Sequence, residues 1–469
     1  MRKLFTLLTL FVSIQLSAQQ WDSNPDYSAI LKTITDPAEK CVNVLDERVI
    51  SFTYLPNQDL AEDLFIHQVY YLNSTEAIDA LNKIYIPLSA SSKLLNYNAR
   101  VISPSGTVRV LSNDDLKEAV NEQGQNVKFF AMSGVEVGGI VEFYYTIRRI
   151  PNMTGRLIVF QKTAPTVKAI FRLVSPSNLV FKTLSVNGYP EIKADTAARG
   201  ENRVIVGIRE NIPALTFEKF SNSDAHAMGV LYQLDGNTFT GASNIYNYTG
   251  ASEMVYKSLN EELSKKVNKE LDKILKASGY ADARDERAKI FAIEDYVKRN
   301  FLYAENVDPQ LETLEKAIEK KTLNDNLSTR LLYRLYKMAG IQTEIVLTCD
   351  RTSLVFDPVF ESYAFLNDYL LYFPGIDDYS MPSYRYFRVG LIPPDYLDNH
   401  GLFIRKVSLG SIESGAGEIR KIKAYPAEHS TNTMLVNVKS LTPGITPDRT
   451  SRPIHLLKKQ GSRISTGRS

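Results

Sequence analysis

Cysteine is scarce. The 469 residues hold two, Cys41 and Cys349, far apart in the chain. Two thiols exclude a disulfide framework and a cysteine-built metal cluster, which needs about four closely spaced ligands. Histidine is nearly as rare, at His67, His226, His400, His429 and His455, with none between 227 and 399. His226 beside Asp224 is too small a donor set for a metal, so no metal site is predicted. No sign of charge dominates: the formal net charge is +2. An overall pull toward nucleic acid or an anionic membrane is therefore excluded, and nucleic acid is not an expected partner. The glycine-rich dinucleotide motif, the phosphate loop, HExxH and GxSxG are all absent, and no cofactor is expected.

Long apolar runs are missing too, except at the start. MRKLFTLLTLFVSIQLSAQQ opens with Arg2 and Lys3, continues apolar from Leu4 to Leu16, and ends on the small pair Ser17-Ala18. That order predicts a signal peptide over 1–18. Its apolar part is shorter than the about 20 residues that span a bilayer. A periplasmic or secreted chain with no transmembrane segment after cleavage is the expectation.

What is abundant is β-forming material: 26 tyrosines and 21 phenylalanines, with 44% of residues hydrophobic. The length suits two or three domains. Over 21–248 the runs RVISFTYL, NARVISPSGTVRVL, GIVEFYYTIRRI, AIFRLVSP, LVFKTLSVNG and NRVIVGI read as short strands bounded by turn residues. Pro104-Ser105-Gly106 reads as a hairpin turn. One helix is expected near Thr75–Lys83. An antiparallel β-sandwich is predicted for this domain.

The texture changes after Tyr248. Val255, Leu259, Leu263, Val267, Leu271 and Leu275 recur every four places, which predicts one long helix over 252–278. Further helices are expected at 282–300, 311–320 and 327–339, with Gly340 as a C-terminal cap. QTEIVLTC, SYAFL and YLLYF read as strands, the last two joined by a tight turn at Asn367-Asp368. Residues 250–405 thus form an expected α+β domain. Residues 406–469 read as a truncated β segment, NTMLVNVKSL, and a disordered basic tail.

Two of these regions carry a resemblance. NARVISPSGTVRVL (98–111) and VEVGGIVEFYYTI (135–147) resemble the N-terminal domain of unknown function 3857 of exported bacterial proteins. IEDYVKRNFLYAENV and AGIQTEIVLTCDR are similar to the transglutaminase-like core that follows it, a papain-like cysteine-protease fold. The likeness covers most of 30–405.

The resemblance implies a cysteine at a helix start, fifteen residues before the helix-ending glycine, with a histidine and an Asp or Asn facing it. A thiolate there attacks, the imidazole moves the proton, and the third group orients the ring. Counting back from Gly340 reaches Asp325. Ser362, in FESYAFL, matches the histidine and Phe373 the orienting acid, with Asp377 a near alternative. No catalytic residue is therefore expected, and Asn324 or Asp325 becomes a helix cap. Ser328 and Thr329 have no base beside them. Asp377, Tyr363 and Tyr379 are the expected binding residues, in a stretch that also holds Tyr369, Tyr372, Tyr384 and Tyr386.

The sequence thus predicts an exported pseudoenzyme of the transglutaminase-like superfamily. It would bind a peptide, protein or glycan of the cell envelope, or act as a scaffold. The alternative is an active transglutaminase-like acyltransferase, or a cysteine-protease-like hydrolase, with a relocated nucleophile, for which Cys349 is the candidate. A third reading, attachment to an envelope complex at the membrane, rests on the basic tail.

Overall fold

In the computed structural model the described residues are 26–34, 36, 38–120, 126–192, 194–199, 202–218, 221–304, 313–410, 412–426, 432–433 and 455–456. The expected signal peptide and nearly all of the expected C-terminal tail lie outside them. The architecture is multi-sheet and mostly β, with helices, and divides into two compact units.

The first unit draws on residues up to Asn152, Ile158–Phe217 and Ala227–Leu231. Its main sheet has eight strands: β1 (Cys41–Tyr54), β2 (Leu60–Leu72), β3 (Lys93–Ile102), β4 (Val108–Val110), β5 (Gly139–Arg149), β6 (Thr166–Pro176), β7 (Ala194–Arg199) and β8 (Asn202–Ile212). Their order is β7-β8-β6-β1-β2-β5-β3-β4. The expected wholly antiparallel pattern needs correction. β1 and β6 run parallel, Arg48 opposite Phe171, because a chain that leaves β5 and crosses back to the far side of β1 re-enters in the same direction. The Pro104–Gly106 turn is present: Gly106 takes φ +82°, and its N–H donates to Ser103 O at 2.9 Å. At Gly139 a Cβ would stand 2.8 Å from the Glu136 carbonyl, so only glycine starts β5 there. A smaller sheet of Lys83–Ile86, Asn126–Ala131 and Leu116–Val120 sets Phe130 against Phe143 and Tyr97.

This first unit buries charge as well as apolar area. Asp46 is fully enclosed and held by Arg48 at 2.5 Å, Gln68 at 2.7 Å and Lys162 at 2.9 Å. Glu142 takes Arg100 at 2.6 Å and His67 at 2.8 Å. Buried charges persist only when paired in this way.

The second unit comprises Met153–Leu157, Glu218–His226 and the chain from Tyr232 onward, so it begins before the expected boundary at 248–250. Among the described residues five α-helices precede its main sheet: α1 (Tyr248–Leu259), α2 (Lys265–Ala277), α3 (Glu286–Asn300), α4 (Leu314–Lys320) and α5 (Asp325–Met338). An antiparallel sheet follows, built from β9 (Glu344–Thr348), β10 (Asp368–Phe373), β11 (Asp378–Ser380), β12 (His400–Leu409) and β13 (Ile412–Lys421), in the order β11-β10-β9-β12-β13. The expected break at 405–406 falls inside β12, and β12 and β13 complete the sheet.

Two further expectations are corrected. The single helix over 252–278 is two. Asn260 ends α1, its N–H reaching the Tyr256 and Lys257 carbonyls, and Ser264 caps α2 by accepting from Val267 N–H. Every apolar position of the stripe except Leu263 is buried, so periodicity alone could not reveal the break. SYAFL is no strand: Ser362 caps a 3-10 turn over Tyr363–Phe365. The Asn367-Asp368 hairpin disappears with it, and β10 pairs instead with β9.

Candidate functional site

Helix α5 packs Leu331, Leu332, Leu335 and Tyr336 inward, and Gly340, at φ +73°, ends it. Its start is closed by Asn324, whose side chain accepts from Leu327 N–H at 2.9 Å. Asn324, and not Asp325, is thus the cap. Ser328 and Thr329 are buried, and their hydroxyls donate to the Asn324 and Asp325 carbonyls. Those bonds occupy their hydroxyl protons.

Asp325 is left exposed at the helix start, where its Oδ1 accepts from the Tyr303 hydroxyl at 2.6 Å. Its charge acts on Asp368, a residue the sequence pattern assigns to a turn. Asp368 opens β10 opposite Thr348. Burial, then the charges of Asp325 and Asp350, push its carboxyl up to about 6, against hydrogen bonds from the Tyr396 hydroxyl and the Asp350 N–H. The charges of two carboxylates, Asp325 at a helix start and Asp350, thus act on a third, Asp368, at a strand start. The signal was weak: an acid directly before the apolar run YLLYF, read as a tight turn because SYAFL alternates like a strand.

The other expected positions do not join this centre. Ser362 is fully buried, its Oγ accepting from Ala364 N–H at 3.2 Å and donating to Thr154 O at 3.5 Å. Phe373 is equally buried, edge-on to Tyr336 with centroids 5.0 Å apart. Tyr379, expected to bind, is core: it is 3% exposed and packs on Tyr372 and Phe403. Asp377 lies at the turn before β11, satisfied by Lys423 at 2.7 Å and Tyr372 at 3.1 Å. Tyr363 is half-buried, T-shaped against Tyr246, with its hydroxyl on Asn247 O at 3.3 Å.

Neither thiol is poised for chemistry. Cys349 is 3% exposed, donates to Leu354 O at 3.0 Å, and has Asn399 Nδ2 at 3.9 Å. Burial pushes its thiol up to about 12 and that of Cys41 up to about 11. A reactive thiolate needs the opposite shift. Among the described residues no group of three or more His, Cys, Asp or Glu could hold a metal ion. No helix among them is long and apolar enough to cross a membrane. The carboxylates and tyrosine hydroxyls can hold a cationic group or take up a proton.

Residues 58–216 match the family model of a domain of unknown function with solved structure, DUF3857. No curated protein matches the sequence. Among solved structures, a candidate protease from Parabacteroides distasonis ATCC 8503 is similar at TM-score 0.58 and 12% identity, over 87% of this chain and 79% of that one. At that identity the likeness concerns the fold alone. A TGase at TM-score 0.18 and 15% identity covers 44% of this chain and 48% of its own. An M1 zinc metallopeptidase from Deinococcus radiodurans stands at TM-score 0.24 and 9% identity, over 42% of each chain. Neither of these two carries an argument.

Proposed function

We propose that this is an exported, transglutaminase-like protein of the cell envelope that recognises a partner without transforming it. The observation that carries the reading is the helix start of α5, where an exposed Asp325 accepts from the Tyr303 hydroxyl and its charge acts on Asp368. Acyl transfer through this fold needs a thiolate and an imidazole at that place. A carboxylate is a poor nucleophile toward amides, and a second carboxylate repels rather than activates. What the pair offers is acceptance: oxygens that satisfy the donors of an ammonium group. The partner is accordingly an amine-bearing segment of a peptide, protein or glycan. The rival reading, an acyltransferase or hydrolase with a relocated nucleophile, depends on Cys349, whose burial disfavours it.

The test uses the chain without residues 1–18. Peptides with free lysine amines, their acetylated counterparts and cell-wall glycan fragments are titrated calorimetrically, and dansylcadaverine incorporation is followed in parallel. The expected result is amine-dependent binding, weakened at least about tenfold (about 1.4 kcal/mol) in Asp325→Asn/Asp368→Asn, with no incorporation. Incorporation or peptide cleavage that survives purification would sink the proposal.

A further inference from the structure

The second unit buries one ion pair whose hydrogen bonds all serve a single loop. Lys298, on α3, is 5% exposed. Its ammonium donates to Glu294 Oε1 at 2.7 Å, Met381 O at 2.8 Å and Phe387 O at 3.0 Å. Glu294 is fully buried and also accepts from Ser380 Oγ and Val389 N–H, each at 2.6 Å. Residues 380–389 are thus stapled to the core at both ends. Arg388 tightens the loop from outside, donating to the Arg385 and Phe387 carbonyls at 2.6 and 2.8 Å while Asp295 holds its other nitrogens at 3.1 Å. Two turns lie within, Tyr384 N–H to Met381 O and Phe387 N–H to Tyr384 O.

A buried ion pair is a poor source of stability, because desolvation offsets most of its attraction. Its effect here is to fix a shape. What that shape presents outward is Tyr384, 39% exposed, Arg385, exposed, and Tyr386, 86% exposed. The Tyr384 ring is set by edge contacts with Phe387 and Tyr396. The Arg385 side chain has no ion-pair partner among the described residues. Tyrosine and arginine are the side chains enriched at binding hot spots, and a loop already held in place loses little entropy when it is covered.

We propose that the Tyr384-Arg385-Tyr386 loop is a docking surface for a short acidic peptide segment. The unpaired guanidinium takes a side-chain carboxylate, and the two rings cover the residues beside it. One turn bearing three side chains is far smaller than the roughly 1,600 Å² of an ordinary protein–protein face. The occupant is therefore an extended stretch of chain rather than a folded domain.

The experiment is selection of a random dodecapeptide phage library on the full chain, counter-selected on the Arg385→Ala/Tyr386→Ala variant. Both replaced side chains are exposed, and an unchanged melting temperature checks the variant's fold. Enriched peptides should contain Asp or Glu, and as synthetic peptides should bind the variant at least about tenfold more weakly. Peptides without carboxylates, equal binding to both proteins, or no enrichment each overturn the proposal. So does binding of polygalacturonate, but of no peptide, that the double variant abolishes, since the partner is then a glycan. This readout is separate from amine binding at Asp325 and Asp368, so either proposal can fail alone.

Discussion

Lys298 and Glu294 stand one turn apart on α3, ammonium to carboxylate 2.7 Å, both inside the core. Burial pulls the Lys298 ammonium below its ordinary range, and Glu294 opposes that pull. Every other partner of the pair lies between Ser380 and Val389. Removing one member therefore strands the other, together with the loop groups it held. Lys298→Met is expected to cost about 3–5 kcal/mol in urea unfolding. Adding Glu294→Leu to it should recover part of that loss. A double variant no more stable than the single one would refute the pairing argument.

The Asp368 carboxyl gives a pH signature. Its ordinary value is 3.8, and in the fold it stands at about 6. Between those values the folded state holds more protons than the unfolded one, so stability falls as pH rises. The contribution is full below 3.8 and gone above about 6. With solvent screening it amounts to on the order of 1–2 kcal/mol. Asp368→Asn should flatten that slope and be the more stable protein at neutral pH, as chemical unfolding at several pH values would record.

Cys349 should resist alkylation. With 3% of its surface exposed and its thiol up to about 12, iodoacetamide in native buffer at pH 8 should label it about a hundredfold or more slower than free cysteine. Denaturant should remove the difference. Rapid native labelling would favour the alternative, the relocated-nucleophile reading.

Helix α5 distinguishes its cap from its neighbour. Asn324→Ala removes the oxygen on Leu327 N–H and should cost about 1 kcal/mol. Asp325→Ala removes a favourable charge at the helix start but also the repulsion on Asp368. Its net cost should stay under about 0.5 kcal/mol. Equal costs would place the cap at Asp325.

Much of the fold was legible because the periods are local. β5, β6 and β8 form where their β-rich runs predict them, α3 and α5 where theirs predict helices, and Gly106 and Gly340 take the left-handed backbone their positions require. The failures share a cause. α1 and α2 keep one four-residue spacing across a break set by hydrogen bonds of Asn260 and Ser264. SYAFL alternates, yet Ser362 turns the chain into a helical turn with bonds to residues far away in sequence, Thr154 and Tyr248.

The sequence by itself determined the negative half of the site. No cysteine lies between 42 and 348 and no histidine between 227 and 399, so the α5 start itself supplies neither group. Only the tertiary structure decided the positive half. Asp368 pairs with Thr348, Tyr379 is core and Tyr386 is surface, because which residues meet across a sheet and a helix is set by long-range packing. Composition records that the tyrosines are present. Packing alone sorts the ones that fill the interior from the ones left to meet a partner.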